Sequence, residues 1–172
     1  MKITSMEEYG LRCLVQVAKH GDKEPISAQD IAELEGISVA YAQKILRALN
    51  KGDLVQSVRG ASGGYTLARE MDDISLGDAI RVLGGMLQLD HICEKHTGEQ
   101  DVCLHASQCS IRPVWGSLTE FIMRAFDTIP LALLMRSERE VKSALMAMVP
   151  APVETPSEGL SCPLEQRVST NM

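Results

Sequence analysis

From residue 5 onward the apolar positions Met6, Tyr9, Leu11, Leu14, Val15 and Ala18 recur at helical spacing, with polar residues between them. This predicts a helix over 5–20, capped by Ser5 and ended near Gly21. In Pro25-Ile26-Ser27-Ala28-Gln29-Asp30-Ile31, Ser27 and Asp30 stand at capping-box spacing and Ile26 and Ile31 can form a hydrophobic staple, so a short helix starts at Ala28 and stops at Gly36. After a turn of about three residues, Ser38 caps another helix that runs through Ile45, Leu46 and Leu49 to Gly52. The period then changes. Leu54 to Val58 alternates like a strand, Gly63 to Leu67 begins a second, and Arg59-Gly60-Ala61-Ser62 joins them as a glycine-rich tip.

A short helix follows from Ser75 to about Leu83, with Ser75 and Asp78 again at capping-box spacing. Residues 88–109 hold three of the five cysteines and three of the four histidines. From Ser110 the positions Ile111, Val114, Trp115, Leu118, Phe121, Ile122 and Ala125 follow helical spacing, and Pro113 falls in the first turn, where proline is tolerated. This stripe is too large for a small domain to cover alone, so Val114, Trp115, Leu118, Phe121 and Ile122 are read as the face on which two copies pair. Thr128 and Ser137 can cap two further short helices, and from Val149 the Pro, Glu, Ser and Thr content reads as a disordered tail in which Cys162 is an exposed thiol.

The expected fold is mainly α with a small β-hairpin wing: a winged helix-turn-helix domain plus a long dimerisation helix. The expected divisions are 1–85 for DNA binding, 86–109 for a cysteine loop, 110–148 for the dimerisation helix and C-terminal helices, and 149–172 for the tail. In such a domain the second helix enters the DNA major groove and the hairpin offers a cation to the minor groove. Tyr41, Gln43, Lys44 and Arg47 are then candidates for major-groove and phosphate contacts, Gln43 having the donor and acceptor pair that matches adenine. Ser38 adds a phosphate contact at the helix start, and Arg59 with Gly60 forms the minor-groove tip.

Charge qualifies this reading. Asp and Glu total 23 against 17 Lys and Arg, for a net charge of −6, which taken as an average argues against nucleic acid. The deficit lies after residue 70, with eight cations against fourteen acids there and nine of each before it. Across 38–60 Lys44, Arg47, Lys51 and Arg59 face only Asp53, a local basic stretch of the kind that tracks phosphates. No apolar run approaches a membrane span and no secretory leader is visible, so a cytoplasmic chain is expected. No nucleophile, base and acid set appears, which argues against an enzyme.

An odd number of cysteines in a reducing compartment argues against a disulfide framework and for metal or redox use. Cys93, Cys103 and Cys109 are separated by nine and five residues. Thiolates are the soft donors iron-sulfur clusters need, whereas structural zinc normally shows closely paired cysteines. By spacing alone, three buried or idle thiols are as good a reading as a cluster. Cys109 abuts the long helix, whose positive end favours a thiolate and an anionic cluster. His105, inside the loop, competes as a ligand ahead of His91 and His96. Cys13 lies on the apolar side of the first helix and is read as core.

Met1-Lys2-Ile3-Thr4, Ile37-Ser38-Val39-Ala40-Tyr41, Val58-Arg59-Gly60 with Gly63-Gly64-Tyr65, Ile74-Ser75-Leu76-Gly77-Asp78 and the cysteine loop together resemble the Rrf2 family of bacterial regulators over about residues 1–145. The resemblance implies a homodimeric winged-helix transcription factor, typically a repressor, that holds an iron-sulfur cluster and senses iron, cluster supply, redox stress or nitric oxide. It also implies that an acidic residue in the first helix, here Glu8, reaches the partner subunit's cluster as a fourth ligand, although Glu8 and Arg12 are equally well spaced for a surface ion pair. The chain departs from the family's commoner pattern in its longer first cysteine gap and in Arg112, where some members place a histidine. Two rival functions are a metal-free thiol-disulfide sensor using Cys103 and Cys109, and a protein-interaction module without DNA binding.

Overall fold

The structure is a computed structural model that describes residues 3–20, 24–60, 63–84, 97, 99, 101–105 and 107–148. Helix α1 (Ser5–His20) opens it. Its cap is Thr4, not Ser5: the Glu7 N–H donates to Thr4 Oγ1 at 3.3 Å, and the Thr4 N–H donates back to Glu7 Oε2 at 2.7 Å. This is a reciprocal capping box one residue earlier than the apolar period indicates; Glu8, at the same spacing from Ser5, pairs with Arg12 instead. Glu7 is buried, and its second oxygen, Oε1, has no hydrogen-bond partner among the described residues.

Helix α2 (Ala28–Glu35) and helix α3 (Val39–Lys51) begin and end where the caps place them. The Ser27 hydroxyl accepts from the Asp30 N–H at 3.1 Å and the Ser38 hydroxyl accepts from the Tyr41 N–H at 3.2 Å. Gly36 sits at φ 64°, the left-handed conformation that closes α2 and that only glycine adopts without strain. The two helices are therefore joined by Gly36, Ile37 and Ser38 alone.

Strands β1 (Val55–Val58) and β2 (Gly64–Leu67) pair antiparallel with Val55 opposite Leu67 and Ser57 opposite Tyr65. The Gly63 N–H donates to the Gly60 carbonyl at 3.0 Å across the tip. The hairpin is tied to the body by a reciprocal backbone pair: Ile26 donates to the Tyr65 carbonyl at 3.1 Å and Tyr65 donates to the Ile26 carbonyl at 2.9 Å. A Cβ on Gly64 would lie 2.5 Å from the Ile26 carbonyl oxygen, so this approach requires glycine.

Helix α4 (Leu76–Leu83) carries the full capping box expected at Ser75 and Asp78. The long helix α5 (Ile111–Asp127) is followed by a 3-10 turn, Leu131–Met135, and by α6 (Glu138–Met148), whose first turn is held by Ser137 and Glu140. Thr128 departs from expectation. Its hydroxyl donates to the Ala125 carbonyl at 2.7 Å, so it closes α5 and caps no new helix; Pro130 leads into the 3-10 turn. The core runs through Cys13, Leu14, Ile31, Ile45, Leu46, Leu49, Leu54, Ile74, Leu83 and Leu131, drawing on α1 to α4, the hairpin and the 3-10 turn but on no residue of α5. Burial of this apolar set is the main stabilising term for a domain of this size. Cys93, His91, His96, Cys162 and the tail expected from Val149 lie outside the described residues.

Candidate nucleic-acid interface and cysteine loop

Helix α3 buries Ala42, Ile45, Leu46 and Leu49, which turns Val39, Ala40, Gln43, Lys44, Arg47 and Lys51 outward. Gln43 and Arg47 are one helical turn apart on that outward face, with Lys44 beside them. Among the described residues Lys44, Arg47, Lys51 and Arg59 have no carboxylate within ion-pair distance, while Arg12, Arg69, Arg81 and Arg124 are all paired. The cations of the second helix and the wing are thus left for an external anion. Ser38, at the start of α3, is exposed, and Gly60 takes φ 130° at the wing tip beside Arg59.

Tyr41 is placed differently from the other candidates. Its ring meets Tyr9 edge-on, with centroids 6.1 Å apart at 76°, and is half-buried against the core. Arg12 lies 5.5 Å from the Tyr9 ring centroid and pairs with Glu8 at 2.6 Å. Glu8, Arg12, Tyr9 and Tyr41 form a continuous chain from the outer face of α1 to the first turn of α3. Sequence spacing shows the Glu8 and Arg12 pair; the contact between the two tyrosines joins helices distant in sequence and has no local signal. The Glu8 bond holds the Arg12 guanidinium above its ordinary pKa. Glu8 also borders a surface cleft lined by Ile3, Thr4, Ser5 and Tyr9, without a cysteine.

Cys103 and Cys109 are free thiols and both half-buried; His105 between them is exposed. Cys109 is separated from α5 only by Ser110, which makes no side-chain cap, so the first N–H groups of α5 have no side-chain acceptor from it. A free sulfur one residue before a helix start that Ser110 does not cap fits the donor chemistry of an anionic thiolate-ligated group, and the free Cys103 lies in the same segment. Among the described residues no three His, Cys, Asp or Glu side chains are gathered as a metal site, so Glu8 and His105 do not complete one with these two sulfurs within the chain. Cys13 is confirmed as core: it is fully buried, and burial pushes its thiol up to about 12.

The far end of α5 is fastened to the winged domain. Arg81 of α4 donates to both Asp127 carboxylate oxygens, each at 2.7 Å, and holds that carboxyl below its ordinary pKa. The Leu76 N–H donates to the Ile129 carbonyl at 2.8 Å, and Leu131 donates to the Ile74 carbonyl at 2.8 Å. Along α5, Ile111, Val114, Trp115, Leu118 and Phe121 are exposed, as are Val102 and Leu104 on either side of Cys103; Ile122 is half-buried.

Two helices joined by a three-residue turn, a β-hairpin beside them and unpartnered cations on both define a winged-helix, DNA-binding class of protein. A family model for Rrf2, described as an iron-dependent transcriptional regulator, matches residues 3–137, and the chain belongs to this family. It is 38% identical to the protein rrf2 of Nitratidesulfovibrio vulgaris over 136 residues, which is 79% of this chain and 88% of that one. The solved structure of T. potens IscR aligns with a TM-score of 0.62 and 32% identity, covering 88% of this chain and 93% of the other. That of CymR, the global cysteine regulator of B. subtilis, aligns with a TM-score of 0.59 and 30% identity, covering 77% and 94%. These relatives are transcriptional regulators, and this chain is a transcriptional regulator rather than an enzyme. No described helix is long and apolar enough to cross a membrane.

Proposed function

We propose that this chain is a homodimeric repressor of the bacterial cytoplasm that binds promoter DNA through α3 and the wing and holds an iron-sulfur cluster on Cys93, Cys103 and Cys109. The observation that carries the proposal is Cys109, a free and half-buried thiol one residue before the start of α5, where Ser110 makes no side-chain cap, with the free and half-buried Cys103 earlier in the same segment. Bound there, the cluster would supply an anionic group that reacts with oxidants and nitric oxide. Glu8 of the partner subunit is the proposed fourth ligand, and reaching a cluster requires it to leave Arg12. His105 is the weaker alternative. On the DNA side, Ser38, Gln43, Lys44 and Arg47 serve the major groove and its phosphates, and Arg59 with Gly60 serves the minor groove.

The chain's own residues supply the coupling. A change at Cys109 acts on the start of α5, α5 is pinned at its other end to α4 by Asp127 and Arg81, and α4 packs on α3, where Val82 meets Gly52. A coupling of about 1–3 kcal/mol along this path changes DNA affinity roughly 5- to 150-fold. Protein purified without oxygen is expected to be coloured and to contain iron and sulfide, and Cys103→Ser and Cys109→Ser to lose both. Colourless, iron-free protein with promoter affinity unchanged by these substitutions would sink the cluster.

A metal-free thiol-disulfide sensor is the second reading, favoured by the free state of Cys103 and Cys109 and by the likeness to a cysteine regulator. It predicts iron-free protein whose DNA affinity changes on mild oxidation and is restored by a dithiol. Membership of a family of transcriptional regulators sets the interaction-module reading aside.

A further inference from the structure

Helix α6 is 11 residues long and none of them is buried. Isolated helices shorter than about 12–15 residues are marginal in water and depend on a covered apolar face. The apolar face is present. Leu134 of the 3-10 turn and Val141, Leu145 and Met146 of α6 line an open groove of about 590 Å³, to which Arg136 and Lys142 add positive charge. Met146 is 65% exposed and Met148, at the end of the helix, 48%. Neither Arg136 nor Lys142 stands within ion-pair distance of a carboxylate among the described residues. The groove therefore suits a segment that is apolar along its length and acidic at intervals. None of its residues belongs to the α5 face on which two copies are expected to pair.

The chain's own continuation has that composition. Residues 149–172 follow directly on Met148 and carry Glu154, Glu158 and Glu165 before their first cation, Arg167. Val153 and Leu160 are interleaved with those acids, and Pro150, Pro152 and Pro156 disfavour helix and favour an extended backbone. A helix of this length spans about 16 Å, which roughly five extended residues cover, so a segment turning back at the first two prolines can run the whole groove. On that course it meets Lys142 first and Arg136 last, the order in which Glu154 and Glu158 come. We infer that residues 153–160 dock in this groove as a strap, with Val153 and Leu160 on the Leu134, Val141 and Leu145 surface, Glu154 against Lys142 and Glu158 against Arg136. A segment tethered a few residues away is present at roughly millimolar effective concentration, which favours the chain's own tail over a separate partner. The apolar contacts supply the affinity, and the exposed charge pairs, individually weak, set the register. The strap requires neither DNA nor a cluster and goes beyond the function proposed above.

The test is carbodiimide cross-linking of the full chain, since this reagent joins a lysine amine to a carboxylate in direct contact. The expected product is an amide between Lys142 and Glu154, found by peptide mass spectrometry in the monomer band of a denaturing gel. A link from Lys142 to Glu138, one helical turn away within α6, is local and does not count. Arg136→Lys is expected to add a link to Glu158, and Glu154→Gln to abolish the first link. Val153→Gln with Leu160→Gln changes only the tail, so the melting temperature of the winged domain stays that of the wild type. This pair is expected to lower the yield of the link between Lys142 and Glu154 about tenfold. A link to Glu154 confined to the dimer band seats a second copy's tail in the groove and overturns the strap within one chain. No link between Lys142 and residues 153–160, or a yield that the two glutamine substitutions leave unchanged, overturns the docking site itself.

Discussion

At the scale of single residues, position decides which of the thiols can react. Cys13, fully buried with its pKa raised to about 12 by desolvation, carries almost no thiolate near neutrality. Cys103 and Cys109 are partly open to solvent. Iodoacetamide at pH 8 on the folded, metal-stripped chain is therefore expected to label Cys103 and Cys109 and to spare Cys13 until denaturant is added, as read by peptide mass spectrometry. Labelling of Cys13 at the same rate would show that its pocket opens readily. Steric fit gives a second case. A Cβ on Gly10 would lie 2.3 Å from Leu83 Cδ2 where α1 crosses α4. Gly10→Ala is expected to cost about 1–3 kcal/mol by overpacking, although alanine favours an isolated helix. Urea unfolding checks it: the midpoint falls while the slope stays constant.

At the scale of elements, caps at Ser27, Ser38 and Ser75 are local in sequence, and the boundaries they set are the boundaries found. Ser5 is displaced by Thr4: the two adjacent hydroxyl residues each have a glutamate three residues on, and Glu7 bonds back to Thr4 whereas Glu8 pairs with Arg12. Thr128 has the right residue type for a cap but donates backward to Ala125, a choice set by the Pro130 turn that follows. The outward face of α3 is legible because exposure along α3 follows the helical period. The contacts that bind elements together are not: Arg81 and Asp127 are 46 residues apart, and no local rule pairs them. Their tie has a defined pH dependence. The Arg81 guanidinium holds the Asp127 carboxyl below its ordinary value of 3.8, so its stabilising contribution is present above that value and is lost as pH falls through and below it. Both groups are partly exposed, which limits the contribution to about 0.5–1 kcal/mol. Asp127→Asn is expected to lower stability by that amount at pH 7 and to converge with the wild type in acid, measured by thermal unfolding across the range. A difference that stays undiminished through acid unfolding would assign the effect to packing against Gly77.

At the scale of the whole molecule the outstanding problem is the apolar surface left uncovered. Val102, Leu104, Ile111, Val114, Trp115, Leu118 and Phe121 are exposed together on the cysteine segment and α5, more than scattered surface apolar residues explain. A helix pinned to its own domain at its Asp127 end leaves this exposed face available to a second copy, and two-fold pairing on it would set two α3 helices a fixed distance apart. Helix-turn-helix dimers use half-sites about 34–36 Å apart, one helical turn of DNA. Pairing on this face, as proposed, would link assembly to operator recognition. Val114→Glu with Phe121→Glu, two exposed positions whose replacement opens no cavity, is expected to convert the sedimenting species to a monomer and leave the melting of the winged domain unchanged. On a duplex carrying two half-sites, affinity is expected to fall roughly 10²- to 10⁴-fold through loss of the second, effectively intramolecular binding event, while affinity for a single half-site stays near the wild-type monomer's own. A double variant that sediments as the wild type does would place the subunit contact elsewhere. The path from Cys109 along α5 to α4 would then act within one subunit and could not set the separation of two reading heads.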